Sequence, residues 1–309
     1  MSSDMSADKT GEIPVPNPPQ GEPTPTNAAQ TTMLAGVCGW PIHHSLSPFL
    51  HNFWLKELGL KGAYVHFAVR PDEAVHAFQT LKRTSISGVN VTLPLKRLAF
   101  EAADSRTPDA QKLGVANCLY KREGKLIAHN TDMQGFAAPL LKKVNARELL
   151  NAPTFLIGSG GASRAVIGAL LAMGIPEIRV CGRTDSKVED ICAQINVPSL
   201  YPVKWADRLT ALSGAKLIIN ATAGGMEGKP ALDISLARAT PGALIYDLIY
   251  TPQITPLLSE AKYRGHDILG GLDMLVEQAR PSFKLFYGIE PPAGLDPRPL
   301  LTKILASRP

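Results

Sequence analysis

The stretch from Thr154 to Lys187 constrains this chain more than any other. Thr154-Phe-Leu-Ile157 reads as a buried strand, and Gly158, Gly160 and Gly161 follow it at once. A helical pattern then covers 162–173, and a second strand spans Glu177–Cys181. That strand ends in Gly182-Arg183-Thr184, with Lys187 close behind. A strand, a glycine turn, a helix and a strand in this order describe one right-handed unit of a parallel sheet. Gly158 permits the tight turn. Gly160 lets the backbone approach a pyrophosphate, whose charge the helix N-terminus favours. Gly161 and Ala162 are read with them as cofactor-binding, and Ser163 stands in place of the third glycine of G-x-G-x-x-G, still small enough for close packing of helix on strand. A dinucleotide is therefore expected here. NAD sites place Asp or Glu beyond the second strand to accept from the ribose hydroxyl. This chain has Arg183, Thr184 and Lys187 instead, donors suited to a ribose phosphate, so the expected cofactor is NADP. Asp185 lies past the strand end, where it is expected to cap the next helix.

The same alternation continues. Lys216–Asn220 and Leu244–Asp247 read as further strands, with a helix at 185–195. The loop Asn220-Ala-Thr222-Ala-Gly224-Gly225-Met226 follows a strand, so Thr222 and Met226 are expected to border the cofactor. The first half of the chain also alternates. Strands are read at Met33–Gly39, Ala63–Val69 and Ser87–Leu93, with helices at 48–58 and 71–81 and a hairpin around Glu123-Gly124. Ser47 is a plausible cap for the first helix, with Pro48 at its first position. The fold class is α/β, with two α/β domains.

Composition narrows the function classes. The first 32 residues hold six prolines and a charge of −3, which leaves +8 on the rest of a chain of net +5. They are read as a disordered extension, because they cannot bury enough surface to offset the cost of ordering. The basic remainder has no dense Lys/Arg run, so small anionic ligands are expected rather than nucleic acid. No apolar run reaches membrane length, and no membrane association is expected. Cys38, Cys118, Cys181 and Cys192 form no C-x-x-C pair and read as reduced thiols in the cytoplasm. His43, His44 and His51 match no usual ligand spacing, and no metal is expected.

Polar clusters recur at loop positions of the first half. They are Ser45-Leu-Ser47, Asn90-Val-Thr92-Leu-Pro94-Leu-Lys96, Asn117 and Asn130-Thr-Asp132. Together with Gly158-Ser-Gly-Gly-Ala-Ser-Arg-Ala165, Asn220-Ala-Thr222, Asp247-Leu-Ile-Tyr250 and Met274-Leu-Val-Glu-Gln278, they resemble the shikimate dehydrogenase family from Met33 to Gly288. The resemblance implies reversible NADPH-dependent reduction of 3-dehydroshikimate to shikimate, in aromatic amino acid biosynthesis. It implies Lys96 and Asp132 as the catalytic pair; either side chain can carry the proton, and Lys96 is taken as the primary carrier. It places the substrate carboxylate at Ser45, Ser47 and Tyr250, with Asn90 a neighbour. Thr92, Asn117 and Gln278 then meet the ring hydroxyls, and Gly271 lies against the nicotinamide end of the cofactor. It also implies a discontinuous substrate domain, 33–132 plus a helical return at 270–309, around a Rossmann-type NADP domain at 133–269. A hinge is expected near Gly135 and Gly270-Gly271, and a monomer or homodimer as the working unit.

The chain departs from the family pattern at Cys118, where Thr is usual, and at Gly182, where Asn is usual. The Asn-Ala-Thr loop also continues unusually, with Ala223-Gly224-Gly225. The alternatives are a quinate/shikimate dehydrogenase, with NAD as a possible cofactor, an aminoshikimate-type relative, and a non-catalytic NADP-binding regulator on the same fold.

Overall fold

Two six-stranded sheets carry the molecule in the computed structural model, which describes residues 32–143 and 146–308. The extension read from residues 1–32 therefore lies, except for Thr32, outside the described residues. The first sheet contains β1 (Met33–Gly39), β2 (Gly62–Ala68), β3 (Ile86–Val91), β4 (Ser105–Arg106), β5 (Cys118–Arg122) and β6 (Lys125–His129). Their order is β2-β1-β3-β5-β6-β4. β1 runs parallel to β2 and β3, while β5 runs antiparallel to β3 and β6. Glu123 and Gly124, with φ of 52° and 73°, make the tight turn that reverses β5 into β6. This reversal positions the site. Asn90 pairs with Cys118, and Cys118 with His129. The end of β3, the start of β5 and the end of β6 thus reach the same edge, carrying Thr92, Asn117 and Asn130.

The second sheet contains β7 (Thr154–Ile157), β8 (Ile178–Cys181), β9 (Leu200–Val203), β10 (Leu217–Asn220), β11 (Leu244–Asp247) and β12 (Asp267–Gly270). All its neighbours are parallel, in the order β9-β8-β7-β10-β11-β12. This is the doubly wound dinucleotide-binding order, whose strand direction of travel switches between β7 and β10. Helices on both faces explain its unbroken apolar strands, in which Phe155, Leu156, Ile157, Ile218 and Ile219 have no exposure.

The helices are α1 (Ser47–Glu57), α2 (Ala74–Thr80), α3 (Lys96–Ala102), α4 (Pro108–Leu113), α5 (Asp132–Leu141), α6 (Ala146–Leu150), α7 (Gly161–Ala172), α8 (Asp185–Ile195), α9 (Pro256–Tyr263), α10 (Gly271–Tyr287) and α11 (Arg298–Ala306). α10 starts directly after β12, yet it buries Val276, Phe283, Phe286 and Tyr287 with Trp54 and Tyr64 of the first half. α5 does the converse. It starts beside the first sheet and buries Phe136 and Leu140 in the second core, where Phe136 stacks on Tyr246 at 5.0 Å.

Two local expectations give way, and a third position gains a reason. Ser47 is the first residue of α1, not its cap; Leu46 takes that place and no side chain caps the helix. Asp185 does not cap α8, because Thr184 precedes the helix and the Asp185 carboxylate accepts from the Trp205 N–H at 2.9 Å. Gly135, expected near a hinge, has a packing reason to be glycine. It lies inside α5, where an added Cβ would sit 2.4 Å from Gln278 Cβ, so its missing side chain lets α5 and α10 touch.

Candidate active site

The strands of both sheets aim the loops that follow them at one cleft. A cavity of about 150 Å³ in it is lined by Ser45, Ser47, Thr92, Lys96, Asn117, Asp132, Tyr250 and Gln278. Gly271 lines the same cavity, as do His44, Asn90, Leu248, Met274 and Leu275. Every residue read from the sequence as catalytic or substrate-binding is therefore brought together.

The charged centre is a buried ion pair. Lys96 Nζ donates to Asp132 Oδ2 at 2.5 Å, with side-chain exposures of 13% and 7%. Lys96 opens α3 and Asp132 opens α5. Asn117 orients the carboxylate. The Thr131 backbone N–H can only donate, and it donates to Asn117 Oδ1 at 2.8 Å. Asn117 Nδ2 is then forced toward Asp132 Oδ1, at 2.8 Å, and Thr131 Oγ1, at 2.9 Å. Gln278 closes the group: its Nε2 donates to the Leu275 carbonyl, and its Oε1 faces Asn117 and Thr131 at 3.4 Å.

Behind this centre runs a second buried chain. Tyr64 donates to Asn90 Oδ1 at 2.8 Å, and Asn90 Nδ2 donates to Ser282 Oγ at 2.8 Å and to the Asn117 carbonyl at 3.2 Å. Cys118 is buried beside Asn117, and burial raises its thiol pKa. Under Tyr64 lies His51, fully buried and stacked at 3.9 Å. Neither ring nitrogen of His51 has a partner, and burial pushes its pKa down to about 3.

The same cavity also holds neutral donors. Ser45 and Ser47 are each 6% exposed, and Ser45 Oγ accepts from the Ser47 N–H at 3.3 Å. His66 fixes this loop through the Ser45 carbonyl at 3.0 Å. Burial raises the Tyr250 phenol pKa, an effect opposed by Arg308, the Leu46 backbone and the Ser45 side chain. Hydroxyl donors of this kind suit a carboxylate that must also leave.

A separate groove of about 570 Å³ runs along the ends of β7, β8 and β10. Gly158, Arg183, Thr184, Lys187 and Thr222 line it, with Ser159, Gly182, Trp205 and Lys229. Gly158 has φ +131°, and a Cβ there would meet Ser163 Oγ at 2.7 Å and the Ala221 carbonyl at 3.1 Å. Gly160 faces open space and immediately precedes α7. Arg183, Thr184 and Lys187 are exposed at the end of β8, while Asp185 is engaged with Trp205. This combination of a backbone cradle and free basic donors fits NADP. Gly160, Gly161, Ala162 and Met226 line neither the groove nor the cavity. Gly161 instead touches the other site: a Cβ on it would lie 3.7 Å from Lys96 Cδ. Gly271 marks the second junction, because a Cβ there would fall 2.1 Å from the Leu248 carbonyl.

Sequence reasoning missed Trp205, Lys229, His44, Met274 and Leu275. The first follows β9, an edge strand containing Pro202, and proline masks a strand pattern. His44 adjoins Ser45, but its adjacency to His43 raises the question of a metal before that of a substrate. Among the described residues, no three His, Cys, Asp or Glu side chains group as metal ligands. No described helix is long and apolar enough to cross a membrane.

Comparison with known proteins agrees with this geometry. The profile of the shikimate dehydrogenase substrate binding domain matches residues 37–119, and that of shikimate / quinate 5-dehydrogenase matches 140–231. The chain is 40% identical to a shikimate dehydrogenase (NADP(+)) of Paracoccus denitrificans, over 89% of this chain and 96% of the relative. It is 39% identical to the enzyme of the same name from Paramagnetospirillum magneticum, over 84% and 94%. The crystal structure of shikimate 5-dehydrogenase from Thermus thermophilus, in complex with NADP(H) and shikimate, superposes with a TM-score of 0.76 at 33% identity. That match covers 85% of this chain and 97% of the other. With its two sheets, its glycine turn and its lysine–aspartate cavity, the chain belongs to the shikimate dehydrogenase family.

Proposed function

We infer that the protein is an NADP-dependent shikimate dehydrogenase that reversibly reduces 3-dehydroshikimate to shikimate, a step toward the aromatic amino acids. The observation that carries this reading is one cavity holding a buried Lys96–Asp132 pair together with the hydroxyls of Ser45, Ser47 and Tyr250. Ser45, Ser47 and Tyr250 bind the substrate carboxylate. Thr92, Asn117 and Gln278 meet the ring hydroxyls. NADPH supplies the hydride when bound. Lys96 gives the carbonyl oxygen its proton and stabilises the charge that develops there. Asp132 holds Lys96 in place, and Asn117 holds Asp132. Gly158, Gly160, Gly161 and Ala162 form the pyrophosphate turn, and Arg183, Thr184 and Lys187 take the ribose phosphate. Thr222, Met226 and Gly271 border the remainder of the cofactor. A cytoplasmic setting accords with the four free, buried thiols.

The test is a four-way comparison of initial rates: shikimate and quinate, each with NADP and NAD, followed by reduced-cofactor absorbance. Shikimate with NADP should be fastest. A dominant rate with quinate and NAD would replace this reading with a quinate dehydrogenase. No turnover in any of the four would replace it with a non-catalytic binding protein.

A further inference from the structure

A cation outside the catalytic centre lies against the loop that carries Ser45. Arg308, just past α11, donates from Nη1 to the His44 carbonyl at 3.1 Å, a contact between opposite ends of the described chain. His44 and Ser45 are consecutive, and both line the cavity. The helix that delivers Arg308 is anchored at several points. Leu301 is fully buried in the core with Trp54 and Phe283, and Arg298 pairs with Asp273 and Glu277 of α10. Thr302 accepts from Gln253, three residues after Tyr250 in the loop that follows β11. α11 therefore ties together the two loops that supply Ser45 and Tyr250. The charge of Arg308 is felt at two cavity residues. It opposes the burial that raises the Tyr250 phenol pKa, and it adds to burial and His43 in lowering that of His44. Among the described residues, no carboxylate forms an ion pair with Arg308.

We propose that Arg308 is a specificity residue, which favours anionic substrates by placing a guanidinium beside the loop that carries Ser45. This rests on the function inferred above. Serine and tyrosine hydroxyls supply direction but no net charge, so selection of a carboxylate over a neutral ring falls to a nearby cation. A charge at the rim acts mainly on encounter and on salt dependence rather than on chemistry. Its reach is about 8 Å at physiological ionic strength.

The experiment compares the full chain with Arg308→Gln and Arg308→Lys, at low and high ionic strength, using shikimate and its methyl ester. Arg308→Gln should raise KM for shikimate roughly two- to fivefold at low salt, the range of a partly exposed charge interaction. Its kcat and its KM for NADP should stay unchanged, and its KM should rise less steeply with salt than that of the unaltered chain. Arg308→Lys should recover most of the lost affinity. The methyl ester should not distinguish the three proteins. An unchanged shikimate KM in Arg308→Gln overturns the proposal. So does a raised KM that Arg308→Lys fails to recover and that keeps the original salt dependence, because the loss would then be the His44 hydrogen bond alone. If the unaltered chain turns over no shikimate, the functional reading fails first, which is a separate outcome.

Discussion

Around Asp132 the polar side chains are buried and hold one another, whereas in the cofactor groove the basic donors at the end of β8 stand in solvent and the backbone at Gly158 does the shaping. Asp132, Asn117, Asn130 and Thr131 are 5% exposed or less, and each makes at least one side-chain hydrogen bond. Arg183, Thr184 and Lys187 are all exposed, and the cradle beside them exists because Gly158 has no Cβ. A buried polar network must be satisfied before substrate arrives, since each unpaired group would cost about 1–3 kcal/mol. The cofactor groove needs no such completeness, because water serves its donors until a phosphate replaces it. The difference separates a region fixed for chemistry from one that supplies affinity and selectivity.

That contrast can be broken most decisively at Lys96. Lys96→Ala should lower kcat by about 10²–10⁴-fold, the usual contribution of a positioned acid–base group, with a much smaller change in shikimate KM. Steady-state rates at saturating NADP would show it, and near-normal turnover would remove Lys96 from the mechanism.

On the groove side, Arg183→Gln should act on selectivity. Its KM for NADP should rise roughly 10- to 100-fold, as expected for a charge-assisted hydrogen bond, with kcat and the NAD rate held. Equal weakening of NADP and NAD would mean that Arg183 serves the adenine and not the phosphate.

A smaller effect probes how far the buried region extends behind the cavity. His51 has a folded-state pKa of about 3, against an ordinary value of 6.5. Between those values the unfolded chain binds a proton that the folded chain refuses, so stability falls as pH falls below 6.5. One unit below 6.5 the loss from this group is about 1.4 kcal/mol. Urea unfolding of His51→Phe should lose that part of the acid sensitivity. The same pH dependence in both proteins would show that His51 does not set it.

How much of this was legible in the sequence depended on the range of the interactions. The strand–turn–helix at Thr154 is local, and β7 and β11 run over the residues read from the pattern. The Ser45–Ser47 and Asn90–Lys96 clusters were legible because several polar residues share a short loop. Ser47 also looked like a helix cap, since serine before Pro48 fits both roles and only burial separates them. Gly135 reads as a hinge position, and its packing reason for being glycine lies in Gln278, on a helix far along the chain. Tyr64, Ser282 and His51 carried no local signal at all. Each reads as ordinary core until Asn90 and the aromatic stack are seen together in space.

The return of α10 to the first sheet has a consequence for the order in which the protein is made. The strands of the second sheet and the helices between them are all synthesised before α10, and units of this kind fold as they emerge. The first half must wait. Trp54, Tyr64 and His51 lie against Phe283 and Phe286, and Asn117 faces Gln278, so the earliest-made segment is among the last to be completed. The nascent chain therefore acquires its nucleotide-shaped groove first, and the cavity that would reduce a substrate closes only when its final helices arrive.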